Sequence, residues 1–514
     1  MKTRFGLFVA AFTVCQFVLA QTHIQVEDPL TWKAESLLPY VGQTVIFDVP
    51  MVVCSNDGGY TVSTRRLFSP TNQVLPKTQD AKTYNAFINL NAAGRLNISG
   101  ISGYHRCGEK IYNLKAYVSG VSSIEFKSGE WKGNTRADLE QLNVHKEIGV
   151  EDCDSCLVVC AYNLEWYDLS KTTKQKKINS ALTLIDADIL GLIEIEGKED
   201  TRKRVADLLN STLPHRNYKY IRESKGTEES QTVVFVYDSK RVKSLGSIQY
   251  IDRRVANRKK MMCFELLSTG ERFIYSLNHF KAKTSGGTGA NADMGDGQGC
   301  WNADRKEEAQ AVMDEYKRWS RQIDESDILL MGDLNALGKE DPITVLKDNG
   351  MTDLHRRFHA DSSYSYQYSG LAGYLDHALC NSTMYPQVTG MMVLHCNSDE
   401  IRNRSASENN MFTASDHDPV VVGLKLDGTI VYDPSPKINT ADIFYGEADK
   451  ITIRDAYSET QKSFYAIYNT GGIMLERHAI ESELQEVVFP TTPGMYIVYV
   501  YFNGQTYKHR VLIR

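Results

Sequence analysis

Two polar residues stand directly after an apolar run in the stretch Ile328–Ala336, whose sequence is ILLMGDLNA. The apolar residues are typical of a buried strand, and Gly332 indicates its end. Asp333 and Asn335 follow two positions apart, so in an extended chain both would point to the same side. Ligands of open α/β sheets bind beyond the carboxyl ends of the strands. The pair is therefore a candidate catalytic or ligand site, with a turn after a core strand as the alternative.

Polar residues follow apolar runs at several further places in the chain. The full set is Asn163, Glu194, His279, Asp333, Asn335, Asp376, His377, Asp416 and His417. Each alone is weak evidence, because a carboxylate at a strand end often caps a turn and a single histidine is usually a surface or core residue. Together they would place carboxylates, amides and imidazoles at one edge of a sheet. Since thiolates are absent from this set and imidazoles are few, Mg²⁺ or Mn²⁺ is the expected cation.

A glycine-rich stretch, Thr284–Gly299, lies between two of these positions. It lacks the Lys-Ser/Thr ending of a phosphate-binding loop, so we interpret it as a flexible rim. Asp293 and Asp296 within it could hold Ca²⁺ as a structural or auxiliary ion, and solvated loop acids are the simpler alternative.

Strand and helix patterns alternate around the polar residues. The continuous apolar run Leu157–Asn163 precedes a helical pattern, and a second apolar run then ends at Glu194. An amphipathic helical pattern leads directly into Ile328–Ala336. The apolar face of that helix consists of Ala309, Val312, Met313, Tyr316 and Trp319. Strand, helix and strand in this order predict an α/β domain that presents the polar residues at its strand ends.

Short β patterns separated by Gly, Asn and Pro occupy the chain on both sides of this domain. Before it they are Val41–Val49, Tyr60–Phe68, Phe87–Gly100 and Glu109–Val118. After it, strand patterns such as KITIRDA, FYAIYN, GMYIVYVYFNG and YKHRVLIR follow a linker-like stretch. The first region fits a small sandwich or barrel and the second a small β-sandwich.

The N-terminus has the pattern of a secretory signal peptide. Lys2 and Arg4 precede the mostly apolar stretch Phe5–Ala20, which predicts cleavage after Ala20. No later run is apolar for long enough to span a bilayer, so we expect a secreted protein in the extracellular space or at the cell surface. The net charge of −6 argues against broad non-specific coating of nucleic acid. In an exported chain, the group Cys153, Cys156 and Cys160 favours a disulfide over zinc.

Seven motifs occur in the order known from one enzyme superfamily. They are YNLEW from Tyr162, GLIEIE from Gly191, SLNHFKAK from Ser276, GCWNADRKEEAQA from Gly299, LLMGDLNA, YSYQYSGLAGYLDHAL from Tyr364 and SDHDPV from Ser415. The chain resembles the endonuclease/exonuclease/phosphatase superfamily, which includes deoxyribonuclease I. Within it, the chain looks most like bacterial extracellular nucleases, for which NHFK and GYLDHAL are characteristic.

The resemblance implies a fold and a division into domains. The expected fold class is α/β, a four-layer sandwich of two packed sheets flanked by helices, with an N-terminal all-β domain and a C-terminal β-sandwich. The expected domains are a signal peptide at 1–20, a β-rich domain at 21–148, OB-like or a small sandwich, the catalytic domain at 149–427 and the C-terminal domain at 428–514. The C-terminal stretch is also similar to sorting domains of type IX secretion, which implies contact with secretion machinery.

The resemblance also implies roles for the residues at matching positions. Glu194 would be the principal metal ligand, helped by Asn163 and Asp416. Asp333 and Asn335 would orient the attacking water and contact the phosphate. His279 and His417 would be the catalytic imidazoles, and Asp376 would hold His417. Arg305, Asn302 and Ser415 would contact substrate, although a structural ion pair is as good an interpretation of Arg305.

One departure from the deoxyribonuclease I pattern concerns His279. In that pattern an acidic residue supports the first catalytic histidine from the strand matched here by TVVFVYD. The nearest position in this chain is Gln231, with Glu229 two residues earlier. The partner of His279 is therefore left unassigned.

These observations predict a metal-dependent phosphodiesterase, most simply an endonuclease acting on extracellular DNA and on RNA as a second substrate. Two alternatives stay open. A phospholipid phosphodiesterase or a sugar-phosphate phosphatase would keep the fold and change the substrate. A non-catalytic surface binding protein is disfavoured because each expected catalytic position holds a chemically competent residue.

Overall fold

The computed structural model describes residues 22–29, 32–73, 81–151, 153–223, 231–251, 258–359, 362–400, 410–428, 444–447, 450–454, 463–469, 474–480, 484–489, 494–502 and 505–513. The predicted signal peptide lies outside the described residues. Among the described helices, none is long and apolar enough to cross a membrane.

The chain divides into two compact units. One comprises the chain up to Leu67 together with Phe87–Thr135, and the other comprises Phe68–Ala86 together with Arg136–Arg514. The stretch 68–86 thus belongs to the second unit, although the predicted N-terminal domain includes it. The predicted boundaries at residues 148 and 427 stay predictions.

The first unit is built on one seven-stranded sheet, in the order β1-β2-β6-β3-β4-β5-β7. Its strands are β1 Thr22–Ile24, β2 Thr44–Phe47, β3 Met51–Ser55, β4 Tyr60–Ser63, β5 Leu96–Ser99, β6 Lys110–Gly120 and β7 Ser123–Lys132, with a 3-10 helix at Ala34–Tyr40. One face buries an apolar core that includes Phe47, Val53, Leu96 and Ile111. The predicted β-rich character of this region is confirmed.

The strand predicted from Phe87 is wrong over its first half. Two helices interrupt the strands here, α1 Pro70–Gln73 and α2 Ala81–Ala93, and only Leu96–Ser99 of the predicted run is a strand. Alanine favours a helix, and Tyr84, Phe87 and Ile88 are spaced as neighbours on one helix face.

Two six-stranded sheets form the centre of the second unit, in the orders β10-β11-β9-β8-β21-β20 and β12-β13-β14-β15-β19-β16. The strands of the first are β8 Cys156–Tyr167, β9 Ile189–Ile195, β10 Tyr218–Tyr220, β11 Thr232–Asp238, β20 Val388–Val393 and β21 Val420–Lys425. Those of the second are β12 Val242–Tyr250, β13 Lys259–Leu266, β14 Arg272–His279, β15 Ile328–Asp333, β16 Thr352–Asp353 and β19 Asp376–Cys380. A separate hairpin consists of β17 Tyr366–Tyr368 and β18 Leu371–Gly373.

Helices cover both outer faces of the sheet pair. They are α3 Arg136–Glu140, α4 Val144–Glu147, α5 Thr172–Ile185, α6 Glu199–Thr212, α7 Asn302–Ile323 and α8 Asp341–Asp348. A further helix, α9 Leu354–His359, packs against the core between the sheets. One apolar core joins the two sheets, a second joins the first sheet to α5 and α6, and a third joins the second sheet to α7 and α8. The predicted four-layer α/β sandwich is therefore confirmed.

The C-terminal strands form two antiparallel sheets, as expected for a β-sandwich. Three strands pair in the order β22-β23-β26 and four in the order β25-β24-β27-β28. Their bounds are β22 Phe444–Glu447, β23 Lys450–Arg454, β24 Phe464–Asn469, β25 Met474–Ala479, β26 Leu484–Val487, β27 Gly494–Phe502 and β28 Gln505–Ile513. A disulfide joins Cys153 to Cys156, the first residue of β8.

Candidate active site

The alternation of side chains along four central strands brings polar groups together. Odd-numbered residues of β8, β14 and β15, such as Val159, Tyr275 and Met331, face the core between the two sheets. The next residues on the same faces are Asn163, His279 and Asp333, where the apolar core stops. β14 and β15 end at His279 and Asp333, whereas β8 continues past Asn163 to Tyr167. Asp376 begins β19 on the equivalent face. Strand periodicity alone therefore aims these four side chains into one cleft.

Glu194 reaches the same cleft through a bulge. By alternation it would follow Leu190 and Leu192, which face α5 and α6. Its φ of +55° and a register shift between β9 and β11 break the alternation at this residue. Because a bulge re-aims the side chain that it carries, the Glu194 carboxylate turns toward the cleft. This local conformation is strained for a residue other than glycine.

Gly332 and Asn335 shape the end of β15. The strand continues through Gly332, where φ is +136° and a Cβ would lie 1.9 Å from the carbonyl oxygen of Asn278. Only glycine fits this approach between β14 and β15. Beyond the strand, Asn335 N–H donates to Asp333 Oδ1 at 2.9 Å. Asp333 and Asn335 thus form both the predicted turn and the predicted polar pair. The turn, and not the alternation of side chains along a strand, orients Asn335.

Asp333 is the centre of the cluster and is almost completely buried. Asn163 Nδ2 donates to Asp333 Oδ2 at 3.0 Å and to Glu194 Oε1 at 3.4 Å. The Nε2 atoms of His279 and His417 lie 3.7 and 3.9 Å from Asp333 Oδ2. Burial raises the pKa of Asp333, although the charge of His417 opposes this effect. The nearby Asp376 and Glu194 carboxylates raise it further.

His417 forms a buried ion pair with Asp376. Its Nδ1 donates to Asp376 Oδ2 at 2.7 Å, and Ser365 Oγ donates to the same oxygen at 2.6 Å. Burial alone would lower the pKa of His417, but Asp376 and Asp333 outweigh it and hold that pKa well above its usual value. His417 is therefore a cation at neutral pH, and its Nε2–H points its charge toward Asp333.

His279 has the opposite character. Arg258 Nη2 lies 2.9 Å from its Nδ1 and 3.1 Å from its Nε2. Burial, followed by the charges of Arg258 and His417, lowers the pKa of His279 well below its usual value. The ring is neutral and able to accept a proton. Glu229 lies outside the described residues.

The cluster has the donor set that a hard divalent cation requires. Ligand atoms of Glu194, His279 and Asp333 lie within 4.8 Å of one another. Burial raises the pKa of Asp333, and the charge of a divalent cation would offset the cost of keeping this buried carboxylate ionised. Asn163 directs its amide nitrogen at both carboxylates while its Oδ1 accepts from Glu165 N–H at 2.9 Å. This geometry makes Asn163 a positioning group, and its role as a ligand stays a prediction.

The remaining predicted ligand and substrate residues have different surroundings. Asp416 Oδ1 lies 3.9 Å from His417 Nε2, at the margin of the cluster. Ser415 Oγ donates to the carbonyl of Asn163 at 2.7 Å and so holds the backbone of β8 at this residue. Asn302 Nδ2 donates to Asp341 Oδ2 at 3.0 Å.

Arg305 is a structural residue in this protein. Its side chain is completely buried, and its Nη atoms donate to the carbonyls of Lys281, Cys300 and Gln298 at 2.6–3.2 Å. Those donors fix the loop before α7, so the predicted contact of Arg305 with substrate is unsupported. The loop acids Asp293 and Asp296 accept hydrogen bonds from backbone N–H groups two residues later, as turn residues do.

Sequence reasoning missed three residues of the cluster. Arg258 lies beside His279, Ser365 donates to Asp376, and the ring of Tyr366 lies 4.8 Å from the His417 ring. The basic residues around Arg258 in the sequence could have indicated Arg258 as a member of the cluster. The other two belong to the hairpin, whose position next to His417 is a tertiary contact.

The buried histidine His355 predicts that the folded protein loses stability at acid pH. His355 Nδ1 lies 2.6 Å from Ser363 Oγ, the ring stacks on Tyr374, and burial lowers its pKa from 6.5 to about 3. Below pH 6.5 the unfolded chain binds a proton that the folded chain excludes. Stability should therefore fall as the pH falls toward 3, by at most about 1.4 kcal/mol per pH unit from this group.

In urea unfolding between pH 7 and pH 4, His355→Phe should be less stable than wild type at neutral pH, and this deficit should shrink as the pH falls. Ser363→Ala, which keeps the imidazole, is the matched control and should retain the wild-type slope. A constant deficit for His355→Phe across this range would show that His355 does not exclude a proton.

The chain matches a known family over the region that builds this site. The endonuclease/exonuclease/phosphatase family matches residues 160–417, half of the 514-residue chain. The protein therefore belongs to the endonuclease/exonuclease/phosphatase family. Its members are divalent-metal-dependent hydrolases of phosphate esters, which agrees with the donor set of the cluster. No curated protein matches the chain.

Solved structures of this family cover about half of the chain. A family member from Bacteroides thetaiotaomicron is 17% identical, with 52% of this chain and 97% of that chain covered and a TM-score of 0.38. The mannosyl-6-phosphatase of the same species is 16% identical, with 52% and 98% covered and a TM-score of 0.37. The human Nocturnin catalytic domain is 13% identical, with 52% and 92% covered and a TM-score of 0.37.

Proposed function

We propose that this protein is a secreted, divalent-metal-dependent nuclease that hydrolyses phosphodiester bonds of extracellular DNA, with RNA as a second substrate. The observation that carries the proposal is the pair of imidazoles whose Nε2 atoms lie 3.7 and 3.9 Å from Asp333 Oδ2, one ring neutral and the other charged. Two titratable groups whose surroundings drive their pKa values apart are suited to act as base and acid. The signal-peptide pattern and the resemblance to extracellular nucleases support secretion and a nucleic-acid substrate.

The residues of the cluster can divide the work of hydrolysis among them. Asp333 and Asn335 orient the attacking water, and neutral His279 accepts its proton as the new P–O bond forms. Charged His417 donates its Nε2 proton to the oxygen that leaves as the old P–O bond breaks. Asp376 keeps His417 protonated and fixes its ring by the 2.7 Å hydrogen bond. The proton of the attacking water thus ends on His279, and the Nε2 proton of His417 ends on the departing oxygen.

Glu194 and Asp333 would hold the divalent cation. When bound, it supplies positive charge where the phosphate gains negative charge in the transition state. Glu194→Gln keeps the shape of the side chain and removes its charge. We expect the Mg²⁺ or Mn²⁺ concentration for half-maximal activity to rise roughly 10- to 100-fold. Isothermal titration with Mn²⁺ should show the same weakening, and Glu199→Gln on the exposed start of α6 should bind Mn²⁺ like wild type.

The decisive experiment compares substrates with the purified mature protein. Supercoiled plasmid, linear duplex DNA and RNA are incubated with Mg²⁺, Mn²⁺ or Ca²⁺, and parallel reactions contain sphingomyelin or mannose 6-phosphate. We expect nicking of the plasmid, which establishes endonuclease action, and complete loss of activity with EDTA. Release of phosphocholine or inorganic phosphate without any cleavage of nucleic acid would overturn the proposal, and so would full activity in EDTA.

A further inference from the structure

A short segment from the N-terminal part of the sequence is built into the catalytic unit. Residues Phe68–Gln73, here called the clamp segment, belong to the second unit, whereas the chain up to Leu67 belongs to the first. Phe68 forms a parallel β-bridge with Ala372, and Ser69 N–H donates to the carbonyl of Ala372 at 2.9 Å. The clamp segment therefore lines the edge of the hairpin β17–β18 in the manner of a third strand.

Asn72 closes the base of this hairpin. Its Nδ2 donates to the carbonyl of Ser363 at 3.3 Å, and its Oδ1 accepts from Tyr374 N–H at 3.0 Å. Ser363 precedes the first strand of the hairpin and Tyr374 follows the second, so one amide side chain joins both ends. Asn72 is completely buried. A Cβ at Gly373 would lie 3.3 Å from Asn72 Oδ1 and 2.7 Å from Leu337 Cδ2, which shows how closely the amide is packed.

The hairpin in turn holds the catalytic ion pair. Ser365 Oγ donates to Asp376 Oδ2 at 2.6 Å, and the carbonyl of Ser365 accepts from Asp418 N–H at 2.8 Å. The ring of Tyr366 lies 4.8 Å from the ring of His417. The hairpin thus contacts the carboxylate, the imidazole and the backbone that follows the imidazole.

We propose that Asn72 is a positioning residue of the catalytic centre, acting through the hairpin β17–β18 on Asp376 and His417. The catalytic roles of Asp376 and His417 belong to the proposed function, and this inference rests on them. A buried amide that joins two chain ends fixes a hairpin whose two strands are only three residues long each. Without it, the hairpin loses the link between Ser363 and Tyr374 next to Ser365, and the Asp376–His417 pair loses its fixed support.

The test uses the full chain with the substitution Asn72→Ala. We expect kcat to fall roughly tenfold with KM within about twofold, because a small displacement of catalytic groups lowers the rate of the chemical step more than binding. Hydrogen exchange of the metal-free protein should show faster exchange in the hairpin amides of residues 365–374 and unchanged exchange in β15. The matched control is Asn91→Ala, which removes another buried amide, one that accepts from Arg65 in the first unit. It should leave kcat and hairpin exchange at wild-type values.

A double variant separates positioning from general destabilisation. Ser365→Ala removes the hydroxyl through which the hairpin reaches Asp376, so its effect on kcat and that of Asn72→Ala should not multiply. Multiplicative losses, or wild-type kcat and hairpin exchange in folded Asn72→Ala, would overturn the inference. If Asn72→Ala fails to fold, Asn72→Asp serves instead, since it keeps the acceptor for Tyr374 and removes the donor to Ser363. Unchanged kcat and exchange in Asn72→Asp would then overturn it.

Failure of the proposed function has a different signature. It would appear as a wild-type protein that is inactive on nucleic acid. In that case the exchange measurement still decides whether Asn72 holds the hairpin.

Discussion

Replacing Asp333 with asparagine should lower kcat about 10³-fold while the protein stays folded. The substitution preserves shape but removes the charge at the point where Asn163, His279 and His417 meet, within 3.0–3.9 Å of Asp333 Oδ2. An uncharged amide cannot orient water as an anion does, and it offers a weaker ligand to a divalent cation. Single-turnover cleavage of a labelled duplex, at metal concentrations that saturate the wild type, measures the loss in the chemical step.

The control for Asp333→Asn lies just before the same strand. Asp327 precedes β15 at its opposite end, where it interacts with Gln387 rather than with the cluster. Asp327→Asn makes the same chemical change and should keep activity within about twofold of wild type. Activity of Asp333→Asn within tenfold of the wild type would remove Asp333 from the catalytic machinery.

Replacing His417 with glutamine should lower kcat roughly 10²- to 10³-fold. Glutamine can still donate a hydrogen bond, but it carries no charge and has no proton to release. The wild-type rate should fall at alkaline pH as His417 loses its proton, at a pH well above 6.5 because Asp376 and Asp333 hold its pKa up. This alkaline limb should be absent from the pH–rate profile of His417→Gln.

A second imidazole–carboxylate pair provides the comparison for His417. His215 Nε2 lies 3.2 Å from Asp186 Oδ2 and is largely exposed, on a part of the second unit that carries none of the cluster residues. His215→Gln should leave kcat and the pH–rate profile unchanged. A His417→Gln variant that retained the alkaline limb would assign that limb to another group.

Much of the site follows from local features of the sequence. Apolar runs that end in a polar residue predicted the strand ends at His279 and Asp333, because side chains alternate along a strand and the apolar face must stop where the core stops. The third run was expected to end at Asn163, but β8 continues to Tyr167. The sequence predicted one sheet edge, whereas Asn163 lies on the first central sheet and His279 and Asp333 lie on the second. The pairing of Asp376 with His417 came from the resemblance, and the structure shows the contact at 2.7 Å.

Features that depend on contacts between distant segments could not be predicted in this way. Alternation alone would turn Glu194 toward the helices, and only its bulged conformation against β11 directs it into the cleft. Arg258 lies beside His279 because β13 and β14 pair in that register, and no local pattern predicted this contact. Arg305 resembled a substrate contact in a motif, but the carbonyls of the loop that folds around it accept hydrogen bonds from its Nη atoms.

The sequence by itself determined the order of the elements, the catalytic residue types and the strand ends that present them, since these depend on local periodicity and on composition. The tertiary structure decided the charge states of the two imidazoles, because burial and the distant partners Arg258 and Asp376 set them. It also decided that the clamp segment belongs to the catalytic unit. The hydrogen bond between Asn72 and Tyr374 holds the clamp segment there, and no local pattern encodes a hydrogen bond between residues so far apart in sequence.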